Sequence, residues 1–274
     1  TLTSPTPCIA RFLVSAGPST NPPNRRSTDD QERMTGQPHQ DTRAGGAANL
    51  ARHWDLDLAW LHLNHGSFGA CPRAVLAVQN ELRSRLERDP VGFFITELEP
   101  LWDDARRLLA EFVGAPANDI VFLPNATTAV STVLRSLEFS PGDEILTTNH
   151  EYNACRNALD FAAARSGARV IAAHIPFPVA GPAAIVEAVL ARVSARTRLL
   201  LIDHVTSPTA LILPIEPIIR AWAERGVDTL IDGAHGPGML ALSVEALGCM
   251  YYTGNLHKWV CAPKGAAFLY VRPE

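Results

Sequence analysis

Lysine is the residue whose use in this chain first suggests chemistry. Of the 24 lysines and arginines, two are lysines, Lys258 and Lys264, and 22 (24 − 2) are arginines. A lysine amine can lose its proton and attack a carbonyl carbon, whereas a guanidinium effectively cannot. The count leaves two interpretations open: both lysines are surface charges, or one is kept for carbonyl chemistry.

An acidic residue, Asp232, precedes Lys258 by 26 residues (258 − 232). Asp232 directly follows the apolar pair Leu230 and Ile231, where an ionised carboxylate is costly to bury without a cationic partner. A protonated pyridine nitrogen would serve as that partner. Capping a helix and binding a metal ion are the alternative roles for Asp232.

A turn rich in hydrogen-bond donors, Asn125–Thr128, separates a predicted strand from a predicted helix. A helix N-terminus offers free N–H groups and a partial positive charge, and Thr127 and Thr128 add two hydroxyls. The turn could therefore hold a phosphate, or it could be an ordinary helix cap. Neither of the common glycine-rich nucleotide loops occurs in the sequence, which disfavours a nucleotide.

Polar and aromatic residues gather in a second turn, His150–Ala154, which also follows a predicted strand. An aromatic ring at Tyr152 could stack on a flat ligand. The alternative is a capping cluster for the helix that follows. No metal site is predicted in this turn or elsewhere in the chain.

An alternation of strands and helices from residue 119 onward would position these residues. Strands are predicted at 120–123, 144–148, 169–174, 198–203, 228–231, 250–253 and 266–271, and helices at 127–137, 153–166, 182–193 and 216–225. Short apolar strands spaced by helices of about 10–15 residues favour an α/β fold, a mainly parallel sheet with helices on both faces. Ligands of such sheets bind at the carboxyl ends of the strands, where the residues above fall.

The chain divides into three predicted parts. Residues 1–48 are rich in Pro, Ser, Thr, Asn, Gly and Gln and are predicted to be a disordered tail. Residues 49–114 are predicted to be an N-terminal segment with helices, and residues 115–274 the α/β domain. Within the segment we predict a short strand and glycine turn at 61–69, a helix opened by Pro72 and ended by Pro90 and Gly92, and a second helix from about residue 100 to 113.

Composition argues against several classes of function. The net charge of −4 over 274 residues gives no reason to expect nucleic acid or an anionic membrane as a partner. No apolar run approaches the roughly 20 residues that span a bilayer. The five cysteines are odd in number and include no Cys-x-x-Cys pair, so neither a disulfide framework nor a zinc site is expected, and the cytoplasm is the predicted location.

Pyridoxal phosphate makes four demands that the strand-end residues would meet together. It needs an amine for its aldehyde, a carboxylate for its ring nitrogen, a flat group against its ring and a helix N-terminus for its phosphate. Lys258, Asp232, Tyr152 and the turn Asn125–Thr128 offer these groups. Their joint placement at strand ends is more specific than any one of them.

The same residues resemble the class V aminotransferase family of fold type I pyridoxal phosphate enzymes. The similarity covers roughly residues 55–274 and is carried by Leu63–Gly69 (LNHGSFG), His150–Ala154 (HEYNA) and Thr253–Trp259 (TGNLHKW). These flanking sequences are most similar to the isopenicillin N epimerase branch of the family. The resemblance implies that residues 115–274 are the cofactor-binding large domain of that fold.

The resemblance implies a role for each residue of the site. Lys258 would hold the cofactor as a Schiff base and move the substrate's alpha proton, Asp232 would pair with the ring nitrogen, and His235 would donate to the ring phenolate. The phosphate contacts would be Ala126, Thr127, Thr128, Asn255 and His257.

Three further positions follow from the resemblance with alternatives attached. The ring-stacking residue falls in the second turn, where the alignment slides by one residue, and we prefer Tyr152 to Glu151 on chemical grounds. Ser207 stands near the phenolate where relatives often carry asparagine, a departure that weakens this contact. Asn64 and His65 are candidate substrate-binding residues.

The resemblance implies a homodimeric enzyme that acts on an amino acid or an amino-acid-derived small molecule. Epimerisation through abstraction of the alpha proton is favoured, and a cysteine desulfurase or carbon–sulfur lyase reaction and an aminotransferase reaction are alternatives. The family continues beyond the position of Glu274 into a small C-terminal domain with the arginine for the substrate carboxylate, so that domain is expected to be absent from this chain. From other classes, a truncated non-catalytic paralogue and a nucleotide-binding α/β protein are the rivals.

Overall fold

Helices and strands alternate through the residues that the computed structural model describes, 50–57 and 59–273. The helices are α1 (Arg73–Arg88), α2 (Pro90–Gly92), α3 (Leu98–Val113), α4 (Ala126–Ser136), α5 (Asn153–Ser166), α6 (Pro182–Leu190), α7 (Ile215–Ala223) and α8 (Val244–Leu247). The strands are β1 (Ile120–Leu123), β2 (Glu144–Thr148), β3 (Arg169–Ala173), β4 (Thr197–Asp203), β5 (Asp228–Asp232), β6 (Tyr251–Asn255) and β7 (Ala267–Val271). The predicted tail, residues 1–48, lies outside the described residues.

The seven strands form one sheet in the order β1-β7-β6-β5-β4-β2-β3. The pairs β2–β3, β2–β4, β4–β5 and β5–β6 are parallel, which confirms the predicted mainly parallel sheet. β7 runs antiparallel to both β6 and β1, a feature that was not predicted. The connection from β6 to β7, residues 256–266, is shorter than the dozen or so residues of a parallel crossover, so the chain turns back on itself.

Apolar side chains cover both faces of the sheet. On the central strand β4, Leu199 and Leu201 pack with α4 and α5, while Leu200 and Ile202 pack on the other face with α6 and α7. All four side chains are fully buried. Because successive strand residues point to opposite faces, a run of apolar residues is what a strand between two layers of helices requires.

One prediction for the N-terminal segment is wrong. Residues 61–64 form no strand, because the Asn64 side chain accepts a hydrogen bond from the Gly66 N–H at 2.7 Å and bends the chain instead. The predicted end of the first helix is confirmed, since α1 ends at Arg88. Pro90 and Gly92 then form the short helix α2, which continues through a π-helical turn, Phe93–Glu97, into α3. The Asp89 side chain caps α2 by accepting from the Gly92 N–H at 3.0 Å, so Pro90 opens a helix directly after α1 ends.

The apolar residues of α1 and α3 are only partly covered. α1 has no buried residue, and Val78 is 56% exposed. In α3, Leu109 is buried, but Leu108 is 57% and Phe112 53% exposed. Gly114 ends α3 in the left-handed conformation, at φ 67°, as its position in the sequence predicts.

A buried tyrosine, Tyr252, holds the loop that follows β5. Its ring is fully buried, and its hydroxyl lies 2.9 Å from Nδ1 of His204 at the end of β4. A Cβ atom at Gly233 would overlap the Tyr252 ring, and one at Gly236 would overlap its hydroxyl oxygen. The glycines of this loop are therefore needed for close packing against the ring.

Gly233→Ala is expected to destabilise the fold by about 3 kcal/mol, because neither the added methyl nor the buried ring has room to move. Chemical denaturation measures the change. The control is a cycle with Tyr252→Leu: the two substitutions together should cost less than their sum, since the smaller side chain removes the overlap. Strict additivity of the two costs would contradict this explanation.

Among the described helices, none is long and apolar enough to cross a membrane.

Candidate active site

The carboxyl ends of β4, β5 and β6 lie side by side and bring three separate stretches of sequence together. Asp203, the last residue of β4, pairs with Asp232, the last residue of β5, and Asp232 pairs with Thr253 of β6. Lys258 is the third residue after the end of β6. The strand-end rule used on the sequence thus places Asp232 and Lys258 on neighbouring strands.

The Lys258 amine is half-buried within a group of aromatic rings. Its Nζ lies 3.1 Å from Nε2 of His235 and 6.0 Å from the centre of the Tyr152 ring. Burial lowers the pKa of Lys258, while the charges of Asp232 and other acidic groups act in the opposite direction. An amine with a lowered pKa is the form of lysine that attacks carbonyl carbons.

Asp232 is buried with two hydrogen-bond donors. Its Oδ1 accepts from the Ala234 N–H at 2.9 Å, and its Oδ2 accepts from the Cys155 thiol at 3.1 Å. Two more carboxyl groups lie near Asp232, and each has a buried oxygen with no hydrogen-bond partner among the described residues: Oε1 of Glu151 and Oδ2 of Asp203. Burial and the neighbouring carboxyls raise the pKa of Glu151 to about 8 and that of Asp203 well above its ordinary value.

Three neighbouring acidic groups, two of which have an unpaired buried oxygen, suit a ligand that brings a positively charged N–H. The protonated ring nitrogen of pyridoxal phosphate is such a group, so the donor set fits the predicted cofactor. Glu151, Cys155 and Asp232 also place ligand atoms within 4.8 Å of one another, a spacing that a metal ion could use. Burial and neighbouring carboxyls strongly raise the pKa of the Cys155 thiol, which favours a protonated thiol over a thiolate ligand.

The raised pKa of Glu151 predicts that stability depends on pH. The unfolded chain releases this proton near the ordinary value of 4.5, whereas the folded chain keeps it up to about 8. Between these values the folded state binds more protons, so stability falls as the pH rises, by at most about 1.4 kcal/mol per pH unit. Denaturation of Glu151→Gln across this range should lack that slope.

Glu138→Gln, at an exposed glutamate, is the control for this comparison and should retain the slope of the unsubstituted protein. Equal slopes for the protein and Glu151→Gln would show that Glu151 ionises normally in the folded state.

The predicted phosphate turn is partly occupied by its own hydrogen bonds. The Asn125 side chain caps α4 by accepting from the Thr128 N–H at 2.8 Å, and the Ala126 N–H donates to Oδ1 of Asn255 at 2.9 Å. The predicted Ala126 amide is therefore already paired. The Thr127 N–H has no partner among the described residues, so Thr127 supplies the open backbone donor at this helix N-terminus.

His257 lies directly before Lys258 and is held by the turn between β6 and β7. Its Nδ1–H donates to the Ala266 carbonyl at 2.8 Å, which leaves Nε2 as the nitrogen for a further contact. Burial lowers the pKa of His257. To donate to a phosphate oxygen through Nε2 the ring must carry both protons, which a phosphate dianion favours.

The loop with the predicted substrate residues packs on the lysine segment. Gly69 lies so close that a Cβ there would overlap the His257 carbonyl oxygen, and a Cβ at Gly66 would lie 2.8 Å from the Trp259 ring. Nδ1 of His65 lies 3.7 Å from Sγ of Cys261. The structure thus brings His65 beside the lysine segment, while the Asn64 side chain is exposed.

The remaining predicted residues differ in their exposure. Tyr152 is 43% exposed with Lys258 near its ring, and Glu151 turns its carboxyl into the buried cluster. This arrangement favours Tyr152 over Glu151 as the stacking residue. Ser207 is exposed in the turn after β4, where its neighbour Thr206 is buried and bonds Thr209 at 2.8 Å.

Sequence reasoning missed three side chains of this site. Asp203 carries the same signal as Asp232, an aspartate directly after an apolar strand, and could have been found. Cys155 lies in the first turn of α5, four residues after Glu151, which precedes that helix. Trp259, whose Nε1–H donates to Nδ1 of His235 at 3.2 Å, left no signal beyond its position after Lys258.

Comparisons with known proteins agree with this arrangement. The sequence model of the family described as Aminotransferase class-V matches residues 75–274. The chain is 35% identical over 235 residues to a probable chloroplastic L-cysteine desulfhydrase of Arabidopsis thaliana, covering 80% of this chain and 49% of that protein. It is 38% identical over 226 residues to an isopenicillin N epimerase of Amycolatopsis lactamdurans, covering 81% and 56%.

Solved structures of the cystine C–S lyase C-DES share the fold. One, in complex with cysteine persulfide, has a TM-score of 0.73 at 27% identity and covers 77% of this chain and 57% of its own. Another, a mutant with glycine covalently linked to its PLP cofactor, has a TM-score of 0.72 at the same identity, covering 77% and 56%. The chain spans about half the length of the curated relatives it matches.

The sheet order, the antiparallel β7 and the placement of a lysine and an aspartate at neighbouring strand ends define the large domain of a fold type I pyridoxal phosphate enzyme. The chain belongs to the class V aminotransferase family. Members of this family and their solved relatives point to pyridoxal phosphate as the family's cofactor.

Proposed function

We propose that the chain binds pyridoxal phosphate through Lys258 and acts at the alpha carbon of an amino acid or an amino-acid-derived substrate. One observation carries the proposal: a half-buried amine with a lowered pKa, Lys258, stands at the strand end next to a buried carboxylate, Asp232. Covalent attachment needs the first group, and a protonated ring nitrogen needs the second.

The chain's own residues would each have one task in this reaction. When bound, pyridoxal phosphate supplies an electron sink for the charge left by the departing alpha proton. Lys258 takes that proton on Nζ, and Asp232 holds the proton of the ring nitrogen. Tyr152, whose ring centre lies 6.0 Å from Nζ of Lys258, would cover one face of the ring. Thr127 and Nε2 of His257 would bind the phosphate.

Epimerisation of the isopenicillin N type is the reaction that we favour. The alpha proton leaves one face of the carbon and a proton returns to the other, so no atoms are gained or lost. The support is the similarity of the stretches around Asn64, Tyr152 and Lys258 to that branch, together with 38% identity to an isopenicillin N epimerase. An isomerase of this kind transfers no chemical group between molecules, so the described part of the chain need not carry out a group-transfer step.

Carbon–sulfur lysis of cysteine is the second candidate, favoured by the similarity to an L-cysteine desulfhydrase and to the C-DES fold. Here loss of the alpha proton is followed by cleavage of the Cβ–S bond, and cysteine plus water gives pyruvate, ammonia and hydrogen sulfide. The proton transfer at Lys258 is common to both reactions. An aminotransferase reaction stays a third alternative within the family.

Two experiments test these proposals in order. Absorbance of the purified chain with added pyridoxal phosphate, followed by borohydride reduction and peptide mapping, should locate the cofactor on Lys258. A panel of isopenicillin N, L-cysteine and common amino acids is then assayed by chiral analysis, sulfide detection and keto acid detection. An inverted product supports the epimerase, and sulfide with pyruvate supports the lyase. Cofactor binding without turnover of any substrate would support a non-catalytic paralogue.

A homodimer is the assembly that we propose. The exposed apolar side chains of α1, the π-helical turn and α3 support a protein contact there, with Ile95 75% exposed. Analytical ultracentrifugation tests the assembly, and Ile95→Glu should weaken it. A monomer at all concentrations would contradict the proposed homodimer. The cytoplasmic location also stays a proposal. It is supported by the cysteines of the described residues, Cys71, Cys155, Cys249 and Cys261, which are all free.

A further inference from the structure

Three side chains form a chain of hydrogen bonds that ends on the lysine. The indole Nε1–H of Trp259 donates to Nδ1 of His235 at 3.2 Å, and Nε2 of His235 lies 3.1 Å from Nζ of Lys258. His235 and Trp259 are half-buried. Lys258 and Trp259 are adjacent in sequence, so the two residues at the ends of this series of hydrogen bonds lie on one segment of backbone.

The donor at the Trp259 end determines where the protons lie in this series of hydrogen bonds. An indole N–H can only donate, so Nδ1 of His235 must accept. A neutral imidazole has one donor and one acceptor, and its proton is therefore on Nε2, facing Lys258. Burial and Lys258 lower the pKa of His235 to about 4, which keeps the ring neutral at physiological pH.

A proton on Nε2 of His235 is compatible with only one form of the lysine. An ammonium group has three donors and no acceptor, so it would face the Nε2–H donor to donor. The uncharged amine has a lone pair and can accept this hydrogen bond. The charged groups that act on Nζ from other elements, Asp232 and Asp203, favour the ammonium and oppose this effect.

We infer that Trp259 is a positioning residue: it locks His235 in the Nε2–H tautomer, and this tautomer holds Lys258 as the uncharged amine that reacts with carbonyl carbons. The tautomer is a property of the chain without cofactor. Its benefit for catalysis rests on the proposed function, because only that function requires a reactive amine at Lys258.

Packing around Trp259 keeps the indole in place. A Cβ at Gly66 would lie 2.8 Å from Cζ2 of Trp259 and 3.0 Å from Cε1 of His235, so the N-terminal loop covers both rings. On the other side, a Cβ at Gly238 would lie 2.8 Å from the Trp259 carbonyl carbon, and the φ of Gly238 is 83°. These contacts leave the indole little freedom to turn its N–H away from His235.

Two measurements on the cofactor-free 274-residue chain test the inference. Nitrogen-15 NMR of the histidine rings, with His235→Gln to assign the signals, reports which nitrogen of His235 carries the proton. Reductive methylation with formaldehyde, followed by peptide mapping, compares the reactivity of the two lysines. Because Lys264 is exposed, it is an internal reference for Lys258 in the same sample.

The protein should show the proton of His235 on Nε2 at neutral pH. In Trp259→Phe, which keeps an aromatic ring without the N–H, His235 should populate the other tautomer. Lys258 can then donate to Nε2 as an ammonium, so its methylation relative to Lys264 should slow about fivefold, as for the loss of one hydrogen bond. Trp102→Phe, at a ring that contacts Phe122 instead, is the control and should change neither measurement.

A proton on Nδ1 of His235 in the unsubstituted protein would overturn the inference, whether or not Trp259→Phe folds. So would a folded Trp259→Phe with the tautomer and the methylation ratio both unchanged. Neither measurement involves pyridoxal phosphate. Failure of the cofactor to attach to Lys258 would therefore count against the proposed function while the position of the His235 proton is decided separately.

Discussion

Lys258→Ala is expected to abolish covalent attachment of pyridoxal phosphate and to lower turnover by about a thousandfold or more, because the same amine binds the cofactor and moves the alpha proton. The half-buried position of Nζ, 3.1 Å from His235 and 6.0 Å from the centre of the Tyr152 ring, leaves no second amine in the described site to replace it. Absorbance of the bound cofactor and the rate of substrate loss measure the two effects.

The other lysine of the chain provides the matched control. Lys264 is exposed, and Lys264→Ala should retain both the absorbance and the turnover. Because the chain has only two lysines, a reduced adduct that moved to Lys264 would be visible by peptide mapping. Substantial turnover by Lys258→Ala would reject the assignment of Lys258 as the catalytic base.

Asp232→Asn is expected to lower turnover by about a hundredfold to a thousandfold, the range seen when one electrostatic partner of a developing charge is removed. The neutral amide cannot stabilise a proton on the ring nitrogen as a carboxylate does, so the electron sink weakens. The amide oxygen can still accept from the Ala234 N–H, so the loop after β5 should keep its structure. Turnover and thermal stability are measured together, to separate catalysis from folding.

Asp228→Asn is the control for this substitution. Asp228 begins the same strand, so it lies at the end of β5 opposite to Asp232, and it is half-buried. It should leave turnover unchanged. If Asp232→Asn were as active as Asp228→Asn, the negative charge at Asp232 would have no part in the reaction, and the ring nitrogen would need another partner. Glu151 and Asp203, each with an unpaired buried oxygen, would be the residues to substitute next.

The α/β part of the fold could be predicted because its strands are short apolar runs, most of them buried within the sheet. The runs at β1 and β2 match their predicted bounds, since each is a short apolar stretch between turns. The direction of β7 could not be read from its composition, because an antiparallel strand covered on both faces looks the same. In the N-terminal segment, Leu61 and Leu63 look like a strand but are exposed, and a side-chain hydrogen bond at Asn64 decides the conformation.

The site was predictable where chemistry and strand ends coincide, as for Lys258 and Asp232. It was not predictable where one polar group has two possible partners. The Ala126 N–H was expected to face a phosphate, but Asn255, 129 positions later, takes it. Likewise, the sequence places Trp259 next to Lys258 without indicating that its indole reaches His235 from the loop after β5.

The pairing of the first strand with the last one has a consequence for how this domain is made. β1 is an edge strand whose only neighbour in the described sheet is β7, about 150 residues later in a chain synthesised at about 5–20 residues per second. The turn after β1 carries Thr127. This part of the site can therefore reach its final position only after the chain has been synthesised as far as Val271, the end of β7. Such long-range pairing makes folding slow. Until β7 is available, the unpaired edge of β1 is exposed and vulnerable to aggregation.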